Sequence, residues 1–288
     1  MHIAIVGAGT TGTRIAQAVA LNASQVTLHD ADESAMRRAL SRVSRALDRD
    51  VAGGALDRAR ARRARRVFSL AETLEDCAGA AIVIEAVSDD LALKQAVFSA
   101  LDEIVPDSTI LGTTSHALSI TAIAAGTRRP ERVIGLHFAR QAHQMRLVEV
   151  VRGARTSPDV VDRAQTFLRA IGKTPLIVPD TPGQIVNRVA QAYTGEALHL
   201  LDDGGLEMAT IDRLMEAAGF PLGPFRLMDD LGVEATLTLG RAIFEATYYA
   251  ASYRPHPRLE RLVEAGRAGG EQASGFYDRP GAAPHAEK

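Results

Sequence analysis

The sequence contains little that would direct the protein out of the cytoplasm or onto a polyanion. Its 288 residues include one cysteine, Cys77, so no internal disulfide is possible, which fits a reducing compartment. We find no apolar run long enough for a membrane span and no signal-peptide pattern. The 33 basic and 35 acidic residues leave a net charge of −2, too small for a general attraction to nucleic acid or an anionic membrane. We therefore expect a cytoplasmic protein with no nucleic-acid or membrane partner.

The first half of the chain alternates strand-like and helix-like segments. Hydrophobic residues make up 46% of the chain, enough to fill a core. The strand candidates are HIAIV, QVTLH, RVFSL, AIVIEA, STILGT, RVIGLHF, RLVEVV and TPLIV. This alternation predicts an α/β fold, a Rossmann-like and mostly parallel sheet covered by helices. The Arg-rich segment of residues 33–66, interrupted by Gly53 and Gly54, predicts an inserted helical hairpin.

The second half has a different pattern, because strand signals end after PDTPGQ at residues 179–184. Helices are predicted around residues 185–202, 208–218, 224–231, 233–249 and 257–266. We place the domain boundary near Pro182, which gives a first domain of residues 1–182 and an all-helical C-terminal domain of residues 183–288. A unit this short covers its apolar helices poorly, so we expect a homodimer formed through this domain.

A glycine-rich turn follows the opening strand. In GAGTTG, Gly7, Gly9 and Gly12 have the G-x-G-x-x-G spacing and lie between a strand and a helix. Such glycines permit a tight turn, a close approach of the backbone to a pyrophosphate and close packing of helix on strand. Asp30 ends the next strand, where a carboxylate would accept hydrogens from a ribose diol and repel a 2′-phosphate. The pattern predicts bound NAD rather than NADP; the alternative is an ordinary strand–turn–helix with incidental glycines.

Several motifs in a fixed order resemble those of the L-3-hydroxyacyl-CoA dehydrogenases, in particular the short bacterial 3-hydroxybutyryl-CoA type. They are GAGTTG, IEAVSDDLALK, LHF with LVEVV, DTPGQIVNRV, GFPLGPFRLMDDLGVE and the late GFY, and they span nearly the whole chain. The resemblance implies an NAD-dependent oxidoreductase of fatty acid metabolism that interconverts an L-3-hydroxyacyl-CoA and its 3-ketoacyl-CoA. Coenzyme A would carry the acyl group, and the acyl chain would lie between the domains.

The resemblance also implies roles for individual residues. It makes His137 the catalytic base, Glu149 the carboxylate that orients it and Asn187 the third member of the site. Independent chemistry supports the pair, since a hydroxyl must lose its proton as its carbon loses hydride, and histidine suits that task near neutral pH. The alternative is a satisfied interior histidine and a carboxylate at the sheet edge. Asp89 and Lys94 match positions that hold the nicotinamide half of the cofactor, although charged residues early in a helix are as often simply solvated.

The chain departs from the family pattern at three places. His116, in TTSHAL, stands where the family has a serine that orients the substrate oxygen. Arg140 and Gln141 replace the asparagine and proline after the catalytic histidine, and Glu271 replaces a lysine near the cofactor.

These departures suggest a change of substrate. Our hypothesis is that His116, Arg140 and His143 adapt the pocket to a polar or anionic acyl group, such as a dicarboxylic hydroxyacyl thioester, because arginine offers a planar fork for a carboxylate. The competing interpretation is that Arg140 pairs with a local acid or a cofactor phosphate.

The basic run RARARRARR at residues 58–66 has several interpretations. It lacks the interleaved aromatics of a nucleic-acid site, so a solvated helix face is the simplest one. In the family this hairpin borders the coenzyme A nucleotide, so Arg42, Arg45 or the later arginines could meet its phosphates.

Two other functions remain open, and we assign no metal site. One is a dehydrogenase of a free or carrier-bound hydroxy acid. The other is an NAD-binding dimer without turnover, against which the retained His137, Glu149 and Asn187 argue.

Overall fold

The computed structural model of the chain describes residues 1–22, 25–139, 142, 145–270 and 273–278. Arg140, Gln141, His143 and Glu271, named above, lie outside these ranges. The chain divides into two compact units, Met1–Gln184 and a second unit that begins at Ile185, two residues beyond the predicted boundary.

The first unit contains an eight-stranded sheet in the order β3-β2-β1-β4-β5-β6-β7-β8. All neighbours pair in parallel except β6 and β7, which are antiparallel. This confirms the predicted mostly parallel sheet, and each of the predicted strand segments contributes one strand. The strands are β1 (His2–Val6), β2 (Gln25–His29), β3 (Phe68–Leu70), β4 (Ile82–Glu85), β5 (Ile110–Thr113), β6 (Val133–Phe138), β7 (Leu147–Arg152) and β8 (Thr174–Pro179).

Helices cover both faces of this sheet because side chains alternate along each strand. Ile3 and Ile5 of β1 pack in one cluster with α1, α2, α3 and α6, whereas Ala4 and Val6 pack in another with α4 and α5. Burial of each large aliphatic side chain contributes about 1.5–3 kcal/mol, so the sheet is a rigid support for groups at its edge. The helices are α1 (Thr10–Leu21), α2 (Glu33–Ala52), α3 (Arg58–Val67), α4 (Leu91–Ile104), α5 (Ile120–Ala124) and α6 (Pro158–Ala170).

The helical hairpin forms as predicted between β2 and β3. The carboxylates of Asp32 and Asp57 cap the N-termini of α2 and α3, and Gly54, with φ +75°, lies in the turn between them. Ala61 and Ala64 form the face of α3 that packs inward, whereas its arginines are exposed.

The regular secondary structure in the described residues of the second unit is helical, as predicted. Its core contains Leu198, Phe225, Met228 and Leu237. The late GFY segment joins this core, because backbone N–H groups of residues 276 and 277 donate to the Asp229 carboxylate. The helices are α7 (Val186–Asp202), α8 (Met208–Ala217), α9 (Pro224–Leu231), α10 (Val233–Ala246) and α11 (Pro257–Glu264). In the part of the chain that the structure describes, none of the helices has the length and apolarity that a bilayer crossing requires.

Candidate active site

The glycine-rich turn between β1 and α1 has the geometry of an anion cradle. Gly7 has φ +111°, and a Cβ there would lie 2.5 Å from the carbonyl oxygen of Ala86. A Cβ on Gly12 would lie 1.9 Å from the carbonyl oxygen of Gly7, so the helix packs against the turn only without a side chain. At Gly9, by contrast, no described atom lies within 4 Å of the place that a Cβ would occupy, and no side chain caps α1. The free N–H groups of α1 therefore face open space that a pyrophosphate fits.

Asp30 lies beside this cradle at the end of β2. Its Oδ2 accepts a hydrogen bond from the Ala8 amide at 2.6 Å, and its Oδ1 accepts one from the Asp32 amide at 2.9 Å. Each carboxylate oxygen has two acceptor sites, so both oxygens keep capacity for a ribose diol. The residues present fit NAD.

His137 and Glu149 face each other across two strands. They form a cross-strand pair in the β6–β7 register, and His137 Nδ1 lies 2.6 Å from Glu149 Oε2. The glutamate is fully buried and the histidine 9% exposed. A carboxylate at Nδ1 holds the proton on that nitrogen and leaves Nε2 free to accept one. The structure therefore brings together the two side chains that we expected to act as acid and base.

His116 lies beside this pair, in the loop after β5. The two imidazole ring centroids are 5.8 Å apart and the planes are inclined by 36°. Burial lowers the pKa of His116, the Asp89 carboxylate opposes that shift, and His137 and Lys94 add to it. Among the described residues, neither ring nitrogen of His116 has a hydrogen-bond partner. A neutral imidazole with free nitrogens thus lies next to the catalytic candidate.

Asp89 and Lys94 belong to a continuous polar group that we call the closed network. Lys94 is 1% exposed, and its ammonium lies 2.7 Å from Glu85 Oε1, 3.2 Å from the carbonyl of Val87 and 3.5 Å from Asp89 Oδ1. The ammonium therefore donates to Glu85 and to the carbonyl of Val87, and Asp89 adds an ion-pair contact. The members of the closed network are Glu85, Asp89, Lys94, Thr113 and Ser115, joined further by hydrogen bonds from Thr113 Oγ1 to Glu85 Oε2 and from Ser115 Oγ to Asp89 Oδ1, both 2.7 Å.

The loop that carries His116 is also held from the segment that ends the first unit. The amide of Gly183 donates to the carbonyl of His116 at 3.0 Å. The carboxylate of Asp180 accepts hydrogen bonds from the hydroxyls of Ser119 and Thr121 and from the amides of residues 120 and 121. These contacts fix the backbone on both sides of the imidazole.

Asn187 lies in the first turn of α7, in the second unit. Its Nδ2 is buried and has no hydrogen-bond partner among the described residues. Buried amide nitrogens are usually satisfied, so this donor has the character of a ligand contact.

Comparison with known proteins gives the family. The sequence model of the NAD-binding domain of 3-hydroxyacyl-CoA dehydrogenase matches residues 2–181, and that of the C-terminal domain matches residues 183–279. The chain belongs to the 3-hydroxyacyl-CoA dehydrogenase family. Members of this family are NAD-dependent oxidoreductases, and the expectations of family, fold class, enzyme type and cofactor are confirmed.

Individual relatives agree with this assignment. The chain is 35% identical to the probable 3-hydroxybutyryl-CoA dehydrogenase of Bacillus subtilis over 278 residues, which covers 96% of each protein. It is 37% identical over 277 residues to the 3-hydroxyadipyl-CoA dehydrogenase of Escherichia coli; the match covers 96% of this chain and 58% of the relative's length. The solved structure of (S)-3-hydroxybutyryl-CoA dehydrogenase from Ralstonia eutropha superposes with a TM-score of 0.88 at 31% identity, covering 96% of this chain and 98% of that one.

Sequence reasoning missed two buried residues of the first unit, Glu85 and Lys173. Glu85 had a usable signal, because a carboxylate that ends an apolar strand needs a buried partner. Lys173 follows a helix-terminating glycine and carries no signal in the sequence that its side chain points inward.

Proposed function

We propose that this dehydrogenase oxidises an L-3-hydroxyacyl-CoA to the 3-ketoacyl-CoA and catalyses the reverse reaction. The observation that carries the proposal is the 2.6 Å contact between His137 Nδ1 and Glu149 Oε2, at the edge of the sheet where the glycine cradle lies. His137 Nε2 takes the proton of the substrate hydroxyl, and Glu149 stabilises the imidazolium that forms. In the reverse direction the imidazolium returns this proton to the new hydroxyl oxygen.

NAD, when bound, supplies the hydride acceptor. Gly7, Gly9 and Gly12 form the turn that receives its pyrophosphate, and Asp30 accepts the hydrogens of the adenosine ribose. Asp89 is the member of the closed network that would contact the nicotinamide half, since its side chain is 28% exposed whereas that of Lys94 is 1% exposed. Lys94 acts behind it by fixing that carboxylate.

His116 supplies a further donor beside His137. Neutral His116 donates a hydrogen bond to the substrate oxygen in place of the family serine, a role that its free ring nitrogens allow. Asn187, in the second unit, is a further candidate donor, because its buried Nδ2 has no hydrogen-bond partner among the described residues.

A dicarboxylic acyl group is a second candidate for the substrate. The specific support is the 37% identity to a relative named for 3-hydroxyadipyl-CoA, a thioester whose acyl chain ends in a carboxylate. Arg140 is the residue proposed to bind that carboxylate, with His143 close to it in the sequence. Comparing kcat/KM for 3-hydroxyadipyl-CoA and 3-hydroxybutyryl-CoA tests the idea. Arg140→Ala should lower the first value much more than the second, and an equal loss contradicts it.

A groove on α2 offers coenzyme A a contact surface. This open groove of about 650 Å³ is lined by Arg37, Arg38, Arg45, Ser41 and Ser44. Arginines beside serine hydroxyls suit phosphate groups. Arg45→Ala should raise KM for acetoacetyl-CoA and leave kcat unchanged.

We further propose a cytoplasmic homodimer formed through the helical unit. Large hydrophobic side chains remain exposed on that unit, including Val189 (63%), Leu214 (56%) and Tyr248 (93%), and a second copy would cover them. Sedimentation equilibrium of the full chain measures the oligomeric state.

Turnover itself tests the main proposal. Purified protein mixed with NADH and acetoacetyl-CoA should consume NADH, and His137→Ala should abolish consumption without changing the Kd for NADH. NADH binding without turnover on any thioester supports a non-catalytic NAD-binding protein instead. Turnover of a free or carrier-bound hydroxy acid, with none on coenzyme A thioesters, supports the other alternative.

A further inference from the structure

A lysine outside the proposed site is buried in the first unit without a counter-ion. Lys173 is 8% exposed, and no carboxylate among the described residues lies within ion-pair distance of its ammonium. Burial lowers the pKa of Lys173, because the charged ammonium loses its contact with water. A lysine in such a place needs other partners.

The partners of the Lys173 ammonium are two carbonyl oxygens in the segment between β6 and β7. The Lys173 ammonium donates to the carbonyl of Ala142 at 2.5 Å and to that of Met145 at 2.9 Å. Both belong to residues 139–146, the segment that joins β6 to β7, which we call the dyad loop. Ala142 is itself 4% exposed and packs in the core, so the lysine meets this residue inside the protein.

The backbone around Lys173 is fixed before its side chain reaches the dyad loop. Gly172, with φ +75°, ends α6, and the Lys173 amide donates back to the carbonyl of Leu168 at 2.9 Å. This is the hydrogen-bond pattern of a Schellman helix end. The next amide, Thr174, donates to the carbonyl of Arg146 at 2.7 Å. Lys173 and the first residue of β8 therefore bond three carbonyls of the dyad loop, two of them through the Lys173 ammonium.

The dyad loop connects β6 and β7, the two strands that carry His137 and Glu149. His137 lies opposite Glu149 only in the observed β6–β7 register, and a slip by one residue would turn one of them to the other face. Two-residue turns fix a hairpin's register by their own geometry, but a connection of this length does not. Contacts from outside the hairpin must supply that constraint.

We propose that Lys173 is a positioning residue for the dehydrogenase reaction, clamping the dyad loop through the Ala142 and Met145 carbonyls so that His137 stays opposite Glu149. The inference rests on the proposed function. It assigns Lys173 no contact with substrate or cofactor.

The test compares Lys173→Met, which keeps chain length and removes the donors, with Lys173→Arg, which keeps a cation and its donors. Arg169→Met, at an exposed arginine in the last turn of the same helix, is the matched control. A misplacement of about 1 Å can cost about 10²-fold in rate, so kcat of Lys173→Met with acetoacetyl-CoA and saturating NADH should fall by about 10- to 10²-fold. The Kd for NADH should stay unchanged, and Lys173→Arg should recover most of the rate.

Hydrogen exchange gives a second measurement that needs no turnover. Amides of the dyad loop should exchange faster in Lys173→Met than in wild type, while those of β1 and α1 stay protected. Wild-type kcat in folded Lys173→Met, or unchanged exchange in the dyad loop, overturns the proposal. Wild-type protein that is inactive on every thioester would contradict the proposed function. Faster exchange in Lys173→Met would still show that Lys173 holds the dyad loop, so the failure of one proposal can be told from the failure of the other.

Discussion

The edge of the sheet carries two buried sets of polar side chains that use the same kinds of group in opposite ways. In the closed network, Glu85 accepts from the Val87 amide, Lys94 and Thr113, and every buried charge meets an opposite charge or a donor. Among the described residues, His137 is hydrogen-bonded through Nδ1 alone, and the neighbouring imidazole of His116 has no hydrogen-bond partner.

This difference in hydrogen bonding distinguishes side chains that stabilise the fold from side chains that can take part in the reaction. A buried polar group that is fully bonded has nothing left to offer a ligand, and its removal costs stability. A group that is held on one side and free on the other is pre-organised to take a proton or a hydrogen bond when substrate arrives. Substitutions in the closed network should therefore lower the stability of the protein. Substitutions that affect His137 and His116, which we call the histidine pair, should instead change the kinetics.

Glu149→Gln should have the largest effect on the rate, and it tests whether His137 acts in the reaction. The amide has nearly the shape of the carboxylate, but its NH₂ group would donate to His137 Nδ1 and place the ring proton on Nε2, the nitrogen that must accept one. We expect kcat to fall by about 10²- to 10⁴-fold with the unfolding midpoint nearly unchanged. Steady-state rates and a urea titration measure both. Retention of wild-type kcat would show that the glutamate does not set the tautomer.

Lys94→Met should give the converse result. It leaves the fully buried Glu85 without its cation, which destabilises a protein by about 3–5 kcal/mol. Urea unfolding measures this loss. The double variant Lys94→Met with Glu85→Leu is the control, because removal of both charges should recover most of the stability. A single variant as stable as wild type contradicts the structural role of the pair.

The sequence allowed prediction of the sheet and the cradle because each has a local signal. Strand-like runs such as HIAIV predict buried strands, and Gly7, Gly9 and Gly12 follow a spacing that phosphate binding requires. The residues His137 and Glu149 came from the family resemblance, and their contact was expected from adjacent strands.

What the sequence could not show depends on side-chain direction and register. The dyad loop between the strands of His137 and Glu149 is held by Lys173, which lies 36 residues further along the chain than His137. Lys94 was expected either to bind the cofactor or to be solvated; the structure buries it against Glu85, so it is not solvated, and its role at the cofactor stays a prediction. Such contacts between distant residues leave no periodic trace in the sequence.

A third experiment tests the different roles of His137 and His116. Reduction of a 3-ketoacyl-CoA needs protonated His137 and, by our proposal, neutral His116. Because burial lowers the pKa of His116 below its ordinary value near 6.5, against the pull of Asp89, the rate should decline at acid pH when His116 gains its proton. His116→Ser should lose that acid-side decline and about 10-fold in kcat near neutral pH. A pH–rate profile that keeps the same acid limb in His116→Ser contradicts the assignment.

The smallest expected effect lies at Asp89, where the closed network meets the histidine pair. Asp89 accepts from Ser115 Oγ at 2.7 Å, and its negative charge raises the pKa of His116. Asp89→Asn keeps the shape and removes the charge, so protonation of His116 becomes harder and the acid-side decline should move to lower pH. Because the carboxylate is partly exposed, the loss of stability should be only about 1 kcal/mol. The pH–rate profile of Asp89→Asn, with Asp90→Asn as the control, measures the direction. A move to higher pH would show that Asp89 does not act on His116 through its charge, and the two sets of side chains would then be electrostatically independent.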